Sequence, residues 1–163
     1  MSATDYRNPP AKVYVCSPYR GATGAPVEMR RNVALAKQAC RALTAYGFDP
    51  RAPHLYYTAF LDDQEPDQRT LGLRFASTWI RESASVLVLQ FDGESLSQGQ
   101  EHDLRAAERI DRKVVCVLVA PEAGAWSPGV EFVFEPGWIS RLRAALGVSA
   151  RRQVRLRADP SEI

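Results

Sequence analysis

Two carboxylates, a histidine, a glycine and two serines crowd into SLSQGQEHDLRAA, Ser95 to Ala107, directly after the apolar run ASVLVLQF. At a strand-to-helix junction a carboxylate can act as nucleophile or as general acid or base, or it can be a solvated helix-start charge. Ser97 with Gln100 three residues on fits a capping box, and Ser95 with Gln98 fits as well. Beyond that start, helical spacing puts Glu101, Arg105, Glu108 and Arg112 on one face, which reads as a charged solvent surface. Asp103 lines up instead with Ala107 and Ile110, the residues expected to pack on the sheet. A buried-face aspartate costs free energy unless something offsets it. Gly99 lies one turn earlier on the same face, so the carboxylate leans over a position with no side chain, as a pocket floor would require. The same placement suits an aspartate that only accepts backbone hydrogen bonds from a neighbouring loop, and spacing does not choose between the two.

Several elements must position these residues. The runs KVYVC (12–16), ASVLVLQF (84–91) and KVVCVLVA (113–120) are short, valine-rich and apolar throughout, as strands of a covered parallel sheet are. Between Pro26 and Gly47, the residues Met29, Val33, Ala36, Cys40 and Leu43 form an apolar helical stripe, with Gly47 as the stop. A second helix is expected over about 67–83 with Leu71, Phe75 and Trp79 as its core stripe, a third over about 98–112, and a fourth over about 136–146 carrying Trp138, Leu142 and Leu146. FDPRAP after Gly47 has room for one more short strand. This alternation predicts a single α/β domain, Rossmann- or flavodoxin-like, with a mainly parallel sheet flanked by helices. Residues 1–11 read as an N-terminal extension, 12–146 as the domain and 147–163 as an arginine-rich tail. Ligands of such sheets gather outside the carboxyl ends of the strands, which brings CSPYRG, FDGESLSQGQEHD and RAPHLYYTAFLDD together.

Composition narrows the classes. The chain has 163 residues, 45% hydrophobic and 25% charged, with a net charge of +2, values of an ordinary globular protein with no pull toward nucleic acid. Six arginines from Arg141 onward face only Asp159 and Glu162 and read as a solvated end. Cys16, Cys40 and Cys116 are widely spaced within apolar runs, so reduced, buried thiols are expected rather than a zinc site or disulfides. No P-loop or GxGxxG occurs, and no cofactor is expected. The absence of a signal-like apolar start or of any run near ~20 apolar residues points to a cytoplasmic protein.

Ser97, Gly99, Asp103 and Ala107, together with VYVCSPYRG and RNVALAKQACRALTAYGFDPRAPHLYYTAFLDD, resemble the nucleoside 2-deoxyribosyltransferase-like superfamily, which includes the deoxynucleotide N-hydrolases. The pattern is most similar to a phage- and bacteria-associated branch and covers about residues 12–120. The resemblance implies cleavage or transfer at the N-glycosidic bond of a nucleoside or nucleoside 5′-monophosphate, with a carboxylate acting at an anomeric carbon of oxocarbenium character. It implies Asp103 as that carboxylate and Tyr14 as the hydroxyl that holds it. Ser17, Arg20, Gly21, Ser97 and the Gly99 backbone would then cradle a sugar hydroxyl or phosphate. A homodimer or larger homo-oligomer is implied as well, and the apolar Leu73, Ala76 and Ile80 beside the expected core stripe would supply its surface.

Two positions depart from the family pattern. The carboxylate is usually glutamate, one methylene longer than Asp103. The hydrolases carry an acid three residues before the tryptophan of the preceding helix, where this chain has Ala76; Asp62, Asp63 or Asp92 would have to replace it. These departures suit an alternative of another class, a catalytically silent nucleotide-binding or sensing module. Other conspicuous residues have plain readings: His54 in a turn, His102 toward the surface, Trp79 and Trp138 in the core, and YYTAF (56–60) as a base-stacking or lid segment.

Overall fold

The computed structural model describes residues 9–147, so the arginine-rich tail and most of the N-terminal extension lie outside the described residues. The three apolar runs are neighbouring parallel strands: β1 (Lys12–Cys16), β3 (Ser85–Phe91) and β4 (Lys113–Pro121). The short strand after Gly47 is β2 (Asp49–Arg51), parallel to β1 on its other side. β5 (Phe132–Phe134), which periodicity did not reveal, runs antiparallel to the end of β4. The order β2-β1-β3-β4-β5 makes the connections diverge between β1 and β3, and that divergence opens a crevice above their carboxyl ends.

α1 (Pro26–Ala45) and α5 (Trp138–Leu146) cover one face, where Val13, Val15, Leu87, Leu89, Val115 and Val117 meet Leu35, Leu43 and Leu142. α3 (Pro66–Glu82) and α4 (Gln98–Arg109) cover the other, packed on Tyr14, Cys16, Val86 and Val88. α1 starts at a proline, whose missing N–H costs nothing there. It ends in a Schellman motif: Phe48 N–H donates to Leu43 O and Gly47 N–H to Thr44 O, with Gly47 at φ +88°. That turn sends the chain directly into β2.

Five expectations need correction. The inward stripe of α1 is Asn32, Leu35, Ala36, Ala39 and Leu43, rotated from the predicted one, although Ala36 and Leu43 belong to both. α3 buries Ala76 and Ile80 against the sheet, half-buries Leu73 at the cavity and leaves Leu71 and Phe75 exposed, so the stripe assigned to self-association faces inward and part of the predicted core stripe is surface. Phe75 and Trp79 meet α2 (Pro53–Tyr57), a short helix where a loop is expected; Tyr57 stacks on Phe75 with ring centroids 5.8 Å apart. Ile110 is exposed because α4 has ended before it, at backbone angles that leave the helix, and helical spacing no longer governs where it points. Cys116 is exposed, since β4 alternates: Val115, Val117 and Val119 are buried while Cys116 and Leu118 face outward.

Candidate active site

Strand β1 alternates its side chains, so Tyr14 and Cys16 emerge on the same face, toward α4. α4 starts with the capping box predicted at Ser97 and Gln100: Gln100 N–H donates to Ser97 Oγ, and Ser97 N–H donates to Gln100 Oε1. One turn on, Asp103 meets β1, and the Tyr14 hydroxyl donates to Asp103 Oδ2 at 2.8 Å. Asp103 Oδ1 is shielded from solvent and has no hydrogen-bond partner. Glu101, by contrast, is exposed, facing Arg105 at 4.0 Å.

Burial dominates the electrostatics. It lifts the Asp103 carboxyl from its ordinary 3.8 to about 6, against the opposing pull of hydrogen bonds from Tyr14 and Cys16. Burial, and then the nearby Asp103 charge, push the Tyr14 phenol well above its usual 10. At neutral pH the pair is therefore an ionised carboxylate held by a protonated phenol. Cys16 is buried beside them, its thiol also pushed up by burial and then by Asp103.

A cavity of about 1040 Å³ opens above the β1/β3 divergence. Tyr14, Ser17, Arg20, Gly21, Asp63, Ser97, Gly99 and Asp103 all line it. A Cβ built on Gly99 would find only Ser97 Oγ, at 3.9 Å, so the floor beside Asp103 is open. Gly21 serves the loop's backbone: at φ +77°, a Cβ would come within 2.6 Å of the Glu28 carboxylate. That carboxylate is fixed in turn by the Thr23 N–H and hydroxyl, at 2.9 and 2.7 Å.

The acids offered as replacements at Ala76 are placed otherwise. Asp62 is exposed and accepts from Gln64 N–H at 2.9 Å, closing its own turn, and it does not line the cavity. Asp92 is exposed and lines a separate hollow beside β4. Asp63 does line the cavity, but its Oδ2 takes both Arg20 Nε and, at 2.8 Å, Arg69 Nη1. It is the shared anion of a cationic cluster rather than a free acid. Ala76 itself lines the wall with no polar group.

Sequence reasoning passed over several residues that the fold brings to this place. Arg69 arrives because α3 begins beneath the 58–65 loop, which no local pattern announces. Arg31 reaches Glu94 with two bonds of 3.0 and 3.2 Å while lying 3.9 Å over the Phe91 ring, and all three line the cavity. His54, read as a turn residue, lines it too; burial pushes its imidazole down to about 4, so it is neutral, and its Nε2 is enclosed without a partner. Gln100 was visible as a cap only. Among the described residues, no group of three or more His, Cys, Asp or Glu side chains could hold a metal ion.

A family model described as a domain of unknown function, DUF7768, matches residues 11–117, from the start of β1 to well inside β4. The chain belongs to DUF7768. That match takes in β1, both cavity loops, α3 and the whole of α4, so every cavity residue named above falls within the DUF7768 segment. No curated protein matches this DUF7768 chain. Among solved structures it is similar to a 2-deoxyribosyltransferase from the psychrotolerant bacterium Bacillus psychrosaccharolyticus, at 16% identity and a TM-score of 0.53, over 66% of this chain and 72% of that one. At such identity the likeness is one of fold, and it agrees with the Rossmann-like architecture predicted from the sequence. No helix among the described residues is long and apolar enough to cross a membrane.

Proposed function

We propose that this protein cleaves or transfers at the N-glycosidic bond of a nucleoside or nucleoside 5′-monophosphate, with Asp103 acting at the anomeric carbon and Tyr14 orienting it. The observation that carries the reading is Asp103 itself: a desolvated carboxylate at a cavity wall, held through Oδ2 by the Tyr14 hydroxyl and with Oδ1 unpartnered. Desolvated carboxylates are costly and are held where charge will develop against them. In the reaction the bond from C1′ to the base nitrogen breaks, its electrons leave with the base, and an Asp103 oxygen bonds to or stabilises C1′. Water or a second base then takes the sugar and releases the carboxylate. Ser17, Ser97 and the Gly99 backbone face the sugar, and Arg20, backed by Asp63 and Arg69, faces a phosphate. Likeness to the 2-deoxyribosyltransferase fold supports the reading, and the resemblance of the sequence pattern to a phage- and bacteria-associated branch of that superfamily is part of the proposal.

The protein acts as a homodimer or larger homo-oligomer in this reading. The self-associating surface is the outer face of α2, the turn after it and α3, where Tyr56, Phe60, Leu71 and Phe75 are exposed.

One observation favours a second reading, a binding module without turnover: Ala76 gives the cavity no acid where the hydrolases have one, and Asp63 is already committed to two arginines. Incubation with a mixed pool of nucleosides and deoxynucleotides, followed by chromatography for free base or exchanged nucleoside, separates the two. The enzyme reading expects base release that Asp103→Asn abolishes; binding with no release from any pool member overturns it in favour of the module.

A further inference from the structure

The amide of Gln100 is almost fully buried, 3% exposed, and every bond it makes lies at the point where the sheet divides. β1 and β3 stay paired as far as Cys16 and Val88; then β1 turns away and β3 continues alone on that side. Leu89, the first β3 residue past the shared register, gives its carbonyl to Gln100 Nε2 at 2.7 Å. The same nitrogen reaches Cys16 O, the last carbonyl of β1, at 3.4 Å. The amide oxygen takes Ser97 N–H at 3.1 Å, which caps α4. A single side chain thus occupies the place of the missing ladder rung and ties the start of α4 to both strands.

We propose that Gln100 is a positioning residue for Asp103, locking the first turn of α4 onto the ends of β1 and β3 so that the carboxylate three residues later meets Tyr14 and the cavity. The Gln100 amide to Cys16 O and Asp103 to Tyr14 tie that turn to β1 by side chains that reach back to the same strand, and the Cys16 thiol adds a longer contact to Gln100 O at 3.8 Å. With the amide removed, only the Tyr14–Asp103 bond and the long thiol contact hold the start of a helix that can then rock. A displacement of about 1 Å at a reacting group is worth ~10²-fold in rate. Capping alone does not call for this arrangement, because a box needs only the Ser97 contacts and leaves both donor hydrogens of the amide unused. Here the amide is directed at two buried strand carbonyls, Leu89 O and Cys16 O, and a buried polar contact of this kind is costly to disturb.

The test compares Gln100→Met, which keeps length and shape but removes the donors, with Gln38→Met. Gln38 is a matched control: it ties α1 to β5 through Phe132 N–H and C=O at 2.8 and 2.7 Å, away from the cavity. Both variants should melt earlier than the parent. Only Gln100→Met should move the Asp103 titration midpoint, followed by carboxyl carbon NMR, down from about 6 toward 3.8 as water enters. Only that variant should lower kcat for base release, by about tenfold or more, with KM within about threefold. If Gln100→Met does not fold, Gln100→Asn, one methylene shorter but still a donor, is read by the same two measurements. An unchanged midpoint alongside a lowered melting temperature would reduce Gln100 to a structural cap and overturn the proposal. The kcat arm rests on the glycosidic reading above and the NMR arm does not, so a parent that releases no base removes that reading while the midpoint still judges Gln100.

Discussion

Replacing Asp103 by asparagine should make the protein more stable at neutral pH, and the gain should vanish in acid. The climb of the carboxyl from 3.8 to about 6 means that the ionised form is penalised in the folded state by about 3 kcal/mol, at ~1.4 kcal/mol for each tenfold change in proton affinity. Asparagine keeps a carbonyl for the Tyr14 hydroxyl but loses the charge that strengthens that bond, a loss of roughly 1 kcal/mol. The net gain is about 2 kcal/mol, or about 4–8 °C in Tm for a chain of this size. The direction with pH follows from the raised value. Below about 3.8, parent and variant both carry a neutral side chain, folded and unfolded. Between 3.8 and about 6 the unfolded parent ionises while the folded parent resists, so the parent falls behind, and above about 6 the full difference persists. Paired thermal melts at several pH values from 4 to 8 measure this, and taking the difference cancels every other titrating group. A difference that is flat across that range, or a variant less stable at pH 7.5, would mean that the carboxylate is solvated. The argument that it is held for chemistry would then fail with it.

Base release, where observed, should rise with pH through about 6, because only ionised Asp103 can engage C1′; a pH–rate profile with no limb there contradicts the assignment. Gly99→Ala should raise stability by up to ~1 kcal/mol, since a Cβ there meets only Ser97 Oγ at 3.9 Å, yet weaken ligand binding by narrowing the floor; unchanged affinity in calorimetry would put the ligand elsewhere. Arg20→Ala should weaken binding of a nucleoside 5′-monophosphate at least tenfold more than of the bare nucleoside, and equal weakening of both would remove the phosphate from that end of the cavity.

The strands were legible because burial on both faces leaves a compositional mark that survives without context: valine-rich runs became β1 and β3 almost to the residue. Helix faces were less so. α3 carries two apolar stripes, and periodicity cannot say which one meets the sheet. The sheet takes the stripe with Ala76 and Ile80, and the bulkier Phe75 and Trp79 meet α2. α2 itself is five residues long, too short for any periodic signal, and β5 has three. A strand of that length gains its identity from pairing with β4 rather than from its own composition.

The site divides along the same line. Asp103 could be singled out from its neighbours because capping and helical spacing are local, and a run of a dozen residues contains both. Which groups stand around it depends on where separate segments meet: the family resemblance pointed to Tyr14, but no local pattern could give the partners of the loop acids. Asp63 reads alone as a free acid, yet it lies between Arg20 and Arg69, from a different loop and a helix. Asp62, its neighbour, turns outward and binds its own loop. Gln100 shows the division within one residue. Its cap, spaced three residues from Ser97, could be read directly, whereas its bonds to Leu89 O and Cys16 O bridge 11 and 84 residues of chain. Those longer bonds exist only because β1 and β3 part company at that level, a property of the sheet's order that no window of sequence contains. The residue that generates a local signal and the residue that completes the site can thus be the same one, with the second role visible only after the strands are in place.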